Sequence, residues 1–127
     1  MVKINANLIR KTVGELCAKA NFELRKDVLA ALKAAYRKET NSRAKRMLKA
    51  VIDNASVAKK ESLAICQDTG LPVVFLEVGQ DVRFVGGDMN KAIQKGIDSG
   101  YRKSSLRNSI AMDPLSRKGG SKFSPGI

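Results

Sequence analysis

With 127 residues, 43% apolar and 28% charged, the chain is long enough to bury a core without disulfide or metal staples, and its composition is globular rather than disordered or fibrous. It contains no histidine, which excludes a Ser-His-Asp triad, a Cys-His dyad and any histidine-ligated metal site within it. The net charge of +12 is unevenly spread: residues 1–60 hold fifteen Lys or Arg against five Asp or Glu, so a surface suited to phosphates, an anionic small substrate or an acidic partner belongs to the first half.

No apolar run approaches the roughly 20 residues of a membrane-spanning helix, and the N-terminus alternates polar and apolar groups without a signal-peptide core. A soluble, cytoplasmic protein is the expectation. Cys17 and Cys66 lie too far apart to resemble a secreted disulfide framework and are expected as reduced thiols.

From Asn5 to about Ala20, the apolar residues Ala6, Ile9, Val13, Leu16, Cys17 and Ala20 recur at helical spacing, with Asn5 or Asn7 as the cap. Cys17 falls in that stripe as a small core residue. A second helix is expected from about Lys26 to near Thr40, with Val28, Leu29, Leu32, Ala35 and Tyr36 on one face and Asp27 in the first turn, where its charge opposes the helix dipole. Thr40-Asn41-Ser42 is a turn and cap signal, after which Ala44, Met47, Leu48, Val51, Ile52, Ala55 and Ala58 mark a third helix. Arg43, Lys45, Arg46 and Lys49 crowd its polar side, either as an anion-facing surface or as an ordinary solvated face.

The stretch 65–79 gathers a thiol, an amide, a carboxylate and a hydroxyl, Cys66, Gln67, Asp68 and Thr69, and stops them at Gly70 before an apolar strand from Pro72 to Val78. Polar side chains at a strand entrance suit a site, and they equally describe an ordinary turn. Gly79-Gln80-Asp81 supplies a turn, and Val82 to Val85 a second short strand, which together predict a hairpin. Gly86-Gly87 breaks the chain, Asp88 caps, and Met89, Ala92, Ile93, Gly96, Ile97 and Tyr101 give a fourth helix closing at or just after Gly100; Gly96 would admit another backbone closely. From Arg102 to Ile127 a long loop is expected, with one short strand near Leu106 to Ala111 and a frayed end over 119–127. The fold class is therefore α/β (α+β), a helical half over 1–60 packed on a small mixed sheet, with motif-bearing strands and helix over 61–118, in a single domain.

Ile65-Cys66-Gln67-Asp68-Thr69-Gly70-Leu71-Pro72, then Ala92 to Tyr101, then Ser105-Leu106-Arg107-Asn108-Ser109, closely resemble the alpha-subunit part of iron-sulfur fumarate hydratases and the similar tartrate dehydratase alpha subunits. The resemblance runs from the first helix to about Lys118. It implies that Cys66 is one ligand of a 4Fe-4S cluster, that Gln67 and Asp68 face the substrate with Asp68 moving a proton, that Arg107 clamps a substrate carboxylate through its planar fork, and that Thr69 and Gly70 shape the loop. It also implies a dicarboxylate substrate, a beta subunit and further alpha-subunit polypeptide as partners. Such a cluster takes three cysteines, and Cys17 does not match a family ligand position. The pattern also departs at Gly119-Gly120-Ser121, where the family's loop leads on to a histidine. The chain alone is accordingly expected to lack the cluster and to be inactive, as a truncated, split or degraded relative. The alternative is a non-catalytic binding module or structural remnant whose basic N-terminal helices meet an acidic partner or nucleic acid, although two Tyr, four Phe and no Trp leave little for base stacking.

Overall fold

The computed structural model describes residues 1–111, 113, 115, 116 and 123, and among them contains four helices and a two-stranded sheet, in the expected α/β class. The chain gathers into two compact units, one built from Met1–Ala18 together with the described residues from Gln67 on, the other from Lys19–Cys66.

The first unit opens with β1 (Val2–Asn5), which pairs in parallel with β2 (Val82–Val85), Val2 opposite Val82 and Asn5 opposite Val85. Helix α1 (Ala6–Phe22) starts directly from the strand and runs on into the second unit. Asn5 serves both elements, since its Oδ1 accepts the Asn7 N–H at 2.8 Å and so satisfies one of the donors that a helix start leaves open. Helix α4 (Met89–Lys103) is capped by Asp88, whose Oδ1 accepts the Lys91 N–H at 2.8 Å. Its buried face, Ala92, Ile93, Gly96, Ile97, Gly100 and Tyr101, is the core of this unit.

Two glycines of that face meet α1 backbone to backbone. A Cβ at Gly96 would lie 2.7 Å from the Arg10 carbonyl oxygen, and one at Gly100 would lie 2.7 Å from the Gly14 carbonyl oxygen and 2.8 Å from its Cα. No side chain fits in either place. The helix then ends in a Schellman motif: Ser105 takes a left-handed φ of 52°, the Leu106 N–H reaches the Tyr101 carbonyl at 2.9 Å, and Ser105 N–H reaches that of Arg102 at 3.3 Å. Leu106 and Tyr101, at the two ends of the longer bond, are both buried.

In the second unit α2 (Lys26–Lys38) packs on α3 (Ser42–Glu61). The Glu39 carboxylate accepts from the Thr40 and Asn41 N–H groups, and Asn41 Oδ1 then accepts from Arg43 and Ala44, so the turn and the helix start are satisfied by neighbouring side chains. Ser62, with φ 53°, closes α3. Ile65 is then held on both sides, its N–H donating to the Asn21 carbonyl at 3.0 Å and its carbonyl accepting from Asn54 Nδ2 at 2.8 Å.

Three expectations are corrected. The strand expected over Pro72–Val78 does not form, and residues 71–79 make no hairpin with β2; the edge of β2 is taken by Val2–Asn5, whose Val2 N–H also donates to the Asp81 carbonyl at 2.9 Å. The sheet is parallel rather than mixed, its strands being joined by a long crossover as parallel strands must be. Residues 106–111 form no strand, because the Schellman motif turns the chain and no strand among the described residues lies alongside it. Of the tail 119–127 expected to fray, Phe123 alone is described; it is buried, its ring centroid 5.6 Å from that of Tyr101. The other residues of that tail lie outside the described residues.

Candidate functional site

In the first unit, the loop after Cys66 is pinned at one residue. Thr69 is buried between exposed Asp68 and exposed Gly70. The Tyr101 hydroxyl, on the core face of α4, donates to the Thr69 carbonyl at 3.0 Å. The Thr69 hydroxyl donates in turn to the Arg107 carbonyl at 3.4 Å, tying the loop to the segment that leaves α4. On either side of this pin the chain turns locally: Gly70 N–H donates to Asp68 Oδ1 at 3.3 Å, and Gly70 takes a φ of +62°. A Cβ on Gly70 would meet nothing within 4 Å, so the backbone conformation, rather than lack of room, is what favours glycine there.

The arrangement brings three of the expected residues onto one frame. Asp68 precedes the buried Thr69, Arg107 follows the buried Leu106, and both Asp68 and Arg107 are exposed. Gln67 is exposed on the same loop. Cys66 closes the second unit with its thiol exposed, one residue after the doubly bonded Ile65. Cys17 is half-buried, and burial pushes its thiol above the usual cysteine range, as befits a core residue.

Tyr101 is the residue that sequence reasoning placed in the helix core without giving it a task. The signal was present, since a tyrosine at the end of an apolar stripe buries its ring and must find a partner for its hydroxyl. What the sequence does not show is that the partner is a backbone carbonyl 32 residues away.

Among the described residues, no group of three or more His, Cys, Asp or Glu could hold a metal ion. One exposed thiol does not fit an iron-sulfur cluster, which is held by several thiolates. The described residues are therefore at most one corner of such a site.

The basic surfaces lie elsewhere. On α3, the Lys49 ammonium pairs with Asp53 at 2.7 Å, which raises its pKa, and the Lys45 ammonium sits 5.1 Å from the centre of the Tyr36 ring. An open cleft of about 700 Å³ between α1 and α4 carries Arg10, Lys11 and Lys103 on its walls and none of the residues 66–70 or 107.

Comparison with known proteins bears on this frame. The family model described as Fumarate hydratase (Fumerase) matches residues 10–127. Over 114 residues, 87% of this chain, it is 36% identical to a Methanocaldococcus jannaschii protein assigned as a candidate L(+)-tartrate dehydratase subunit alpha, and it spans 39% of that protein. Over 98 residues, 76% of this chain, it is 32% identical to a candidate class I fumarate hydratase of Geobacillus stearothermophilus, spanning 19% of it. The chain thus spans well under half the length of both curated relatives. With the match extending over nearly all of its residues, the chain belongs to the fumarate hydratase (Fumerase) family.

Proposed function

We propose that this chain is the N-terminal part of an iron-sulfur hydro-lyase alpha subunit that interconverts fumarate and malate, or a related hydroxydicarboxylate such as tartrate, and that it works together with the remaining alpha-subunit polypeptide and a beta subunit. The observation that carries the reading is the double tether at Thr69, which ties the backbone next to exposed Asp68 to α4 and to the backbone of exposed Arg107. Adding water across a dicarboxylate double bond requires a group that moves a proton at one carbon and a cation that holds a carboxylate in place.

In this reading Asp68 moves the proton, Gln67 hydrogen-bonds the substrate, and Arg107 holds a substrate carboxylate with two parallel N–H donors, which a lysine cannot do. Cys66 contributes one thiolate to a 4Fe-4S cluster whose other ligands lie outside this chain. In the same reading the chain alone has no hydro-lyase activity.

The test is complementation. Purified chain is mixed with polypeptide carrying the rest of the subunit and its partner under anaerobic conditions with iron and sulfide, and fumarate and tartrate turnover are measured. Cys66→Ser is expected to abolish turnover, and Arg107→Lys to raise KM at least tenfold. Full turnover by the Cys66→Ser mixture would remove Cys66 from the ligand set, and a stoichiometric cluster in the chain alone would overturn the reading that the site is shared.

A further inference from the structure

We propose that the open cleft between α1 and α4 is a binding site for a small polyanion, a molecule carrying phosphate or carboxylate groups at both ends, and that its occupancy clamps the two helices together. This site is independent of the proposed hydro-lyase chemistry. The cleft has a volume of about 700 Å³, within the range of small-ligand sites, and lies wholly in the first unit, away from residues 66–70 and 107. Its lining includes Gly14 of α1 and Gly100 of α4, where the helices touch backbone to backbone: a Cβ on Gly100 would lie 2.7 Å from the Gly14 carbonyl oxygen. With no side chain at that crossing to fill the space, the floor stays open between the two helices.

The walls are basic and short of carboxylates. Arg10 and Lys11 stand on α1 and Lys103 on α4, against a single acidic residue, Glu15. Glu15 is already held by Lys11, at 3.8 Å. Among the described residues neither Arg10 nor Lys103 has an acidic partner. On α3, by contrast, the basic surface carries its own counter-charges, since Lys49 pairs with Asp53 at 2.7 Å and Lys59 with Glu23 at 3.3 Å. Like charges gathered in a concavity repel one another and focus their field on whatever enters it. Uncharged donors complete the lining, with the hydroxyls of half-buried Ser99 and Ser104 and the Asn7 amide.

Both helix ends at the cleft suit an anion. Asn7 lies in the first turn of α1, which holds no acidic residue, so nothing there neutralises the positive end of the helix dipole. The last turn of α4 would repel an anion through free carbonyls, but those of Gly100, Tyr101 and Arg102 accept the N–H groups of Ser104, Leu106 and Ser105. Lys103 belongs to that same turn. The Arg10 fork matches two oxygens of a carboxylate or phosphate, and Lys103 on the facing wall offers a point charge to a second group. A ligand charged at both ends therefore answers both walls. A cation would be repelled, and an apolar molecule would strip water from the charged groups without replacing it.

The test titrates the 127-residue chain with pyrophosphate and with citrate at low salt, following calorimetry, melting temperature and amide chemical shifts. At least one of the two should bind with one molecule per chain, raise the melting temperature as it saturates, and shift the amides of Gly14, Ser99 and Gly100 most. Which of them does so tells phosphate from carboxylate chemistry. Orthophosphate, charged at one end only, should bind about fivefold or more weakly, and equal binding would overturn the two-ended ligand. Arg10→Gln and Lys103→Gln should each weaken binding about fivefold or more, whereas Arg46→Gln on α3, outside the cleft, should leave it within about twofold. A chain of net charge +12 attracts any polyanion diffusely, and diffuse attraction instead gives equal losses in all three variants and shifts spread over residues 43–49. Either of those results would overturn the site, as would no saturable binding of both probes at millimolar concentration. Arg10 and Lys103 are exposed, so both variants should melt as the ligand-free chain does; if one does not fold, the shift map of the unaltered chain decides.

Discussion

Residues 67–70 and 71–78 follow one another in the chain and are held in opposite ways. The first four are fastened by a buried threonine whose carbonyl and hydroxyl both have partners in the unit that surrounds them. The next eight, far more apolar, are exposed at every position but Pro72 and have no backbone partner among the described residues. Hydrophobicity would order them the other way round. The difference teaches that apolar composition alone does not order a segment: Thr69 has hydrogen-bond partners within its unit, whereas 71–78 has no backbone partner among the described residues.

The largest effect should come from loosening what holds the fixed side. Gly100→Ala improves intrinsic helix propensity by roughly 0.5–1 kcal/mol, but its Cβ would fall 2.7 Å from one Gly14 backbone atom and 2.8 Å from another, and backbone cannot rotate out of the way. Overpacking of that kind costs about 1–3 kcal/mol, so the clash wins and the variant should be net destabilised by about 1–2 kcal/mol in urea unfolding. An unchanged or raised midpoint would mean that α1 and α4 can separate at no cost, and the frame beneath Asp68 and Arg107 would then not be rigid.

A smaller and more local effect is expected from Tyr101→Phe. The ring keeps its place in the core beside Phe123, and what is lost is the hydrogen bond to the Thr69 carbonyl. A hydrogen bond of this kind contributes about 1 kcal/mol net. Amide hydrogen exchange should quicken at residues 67–70 and stay as it was at 71–78, where no described bond protects the backbone. Equal acceleration in both segments would erase the distinction between them.

How far the sequence carries this picture depends on the range of the interaction. The helices were legible because their signals are local: Asn41 and Asp88 cap where turn chemistry stands before an apolar stripe, and α2 begins at Lys26 as expected. Gly96 was legible as a close approach, although its partner in α1 was not. The four residues of β1 are too short to show a period and have no turn before them, so β2 was assigned the wrong neighbour. Residues 71–78 show the limit most clearly. Their composition reports a preference for pleated, buried surroundings, and no pattern within one segment can say whether the chain itself provides them. The polar residues of the loop were found from their chemistry and from resemblance, whereas the tether that positions them spans 32 residues and leaves no mark on local sequence.

The smallest effect should be the most telling. Truncating a phenylalanine in a packed core costs about 3–5 kcal/mol, because transfer and cavity terms add. Phe75 is 93% exposed, so in the isolated chain Phe75→Ser should change unfolding free energy by no more than about 0.5 kcal/mol, as surface substitutions do, while removing an aromatic side chain from water should raise solubility. If the complemented assembly covers this side chain, the loss there should approach the core value. A residue whose truncation is neutral in one context and severe in the other belongs energetically to an interface, since its contribution exists only when both surfaces are present. A loss above about 2 kcal/mol in the isolated chain would place Phe75 within this chain's own core and make the two segments alike.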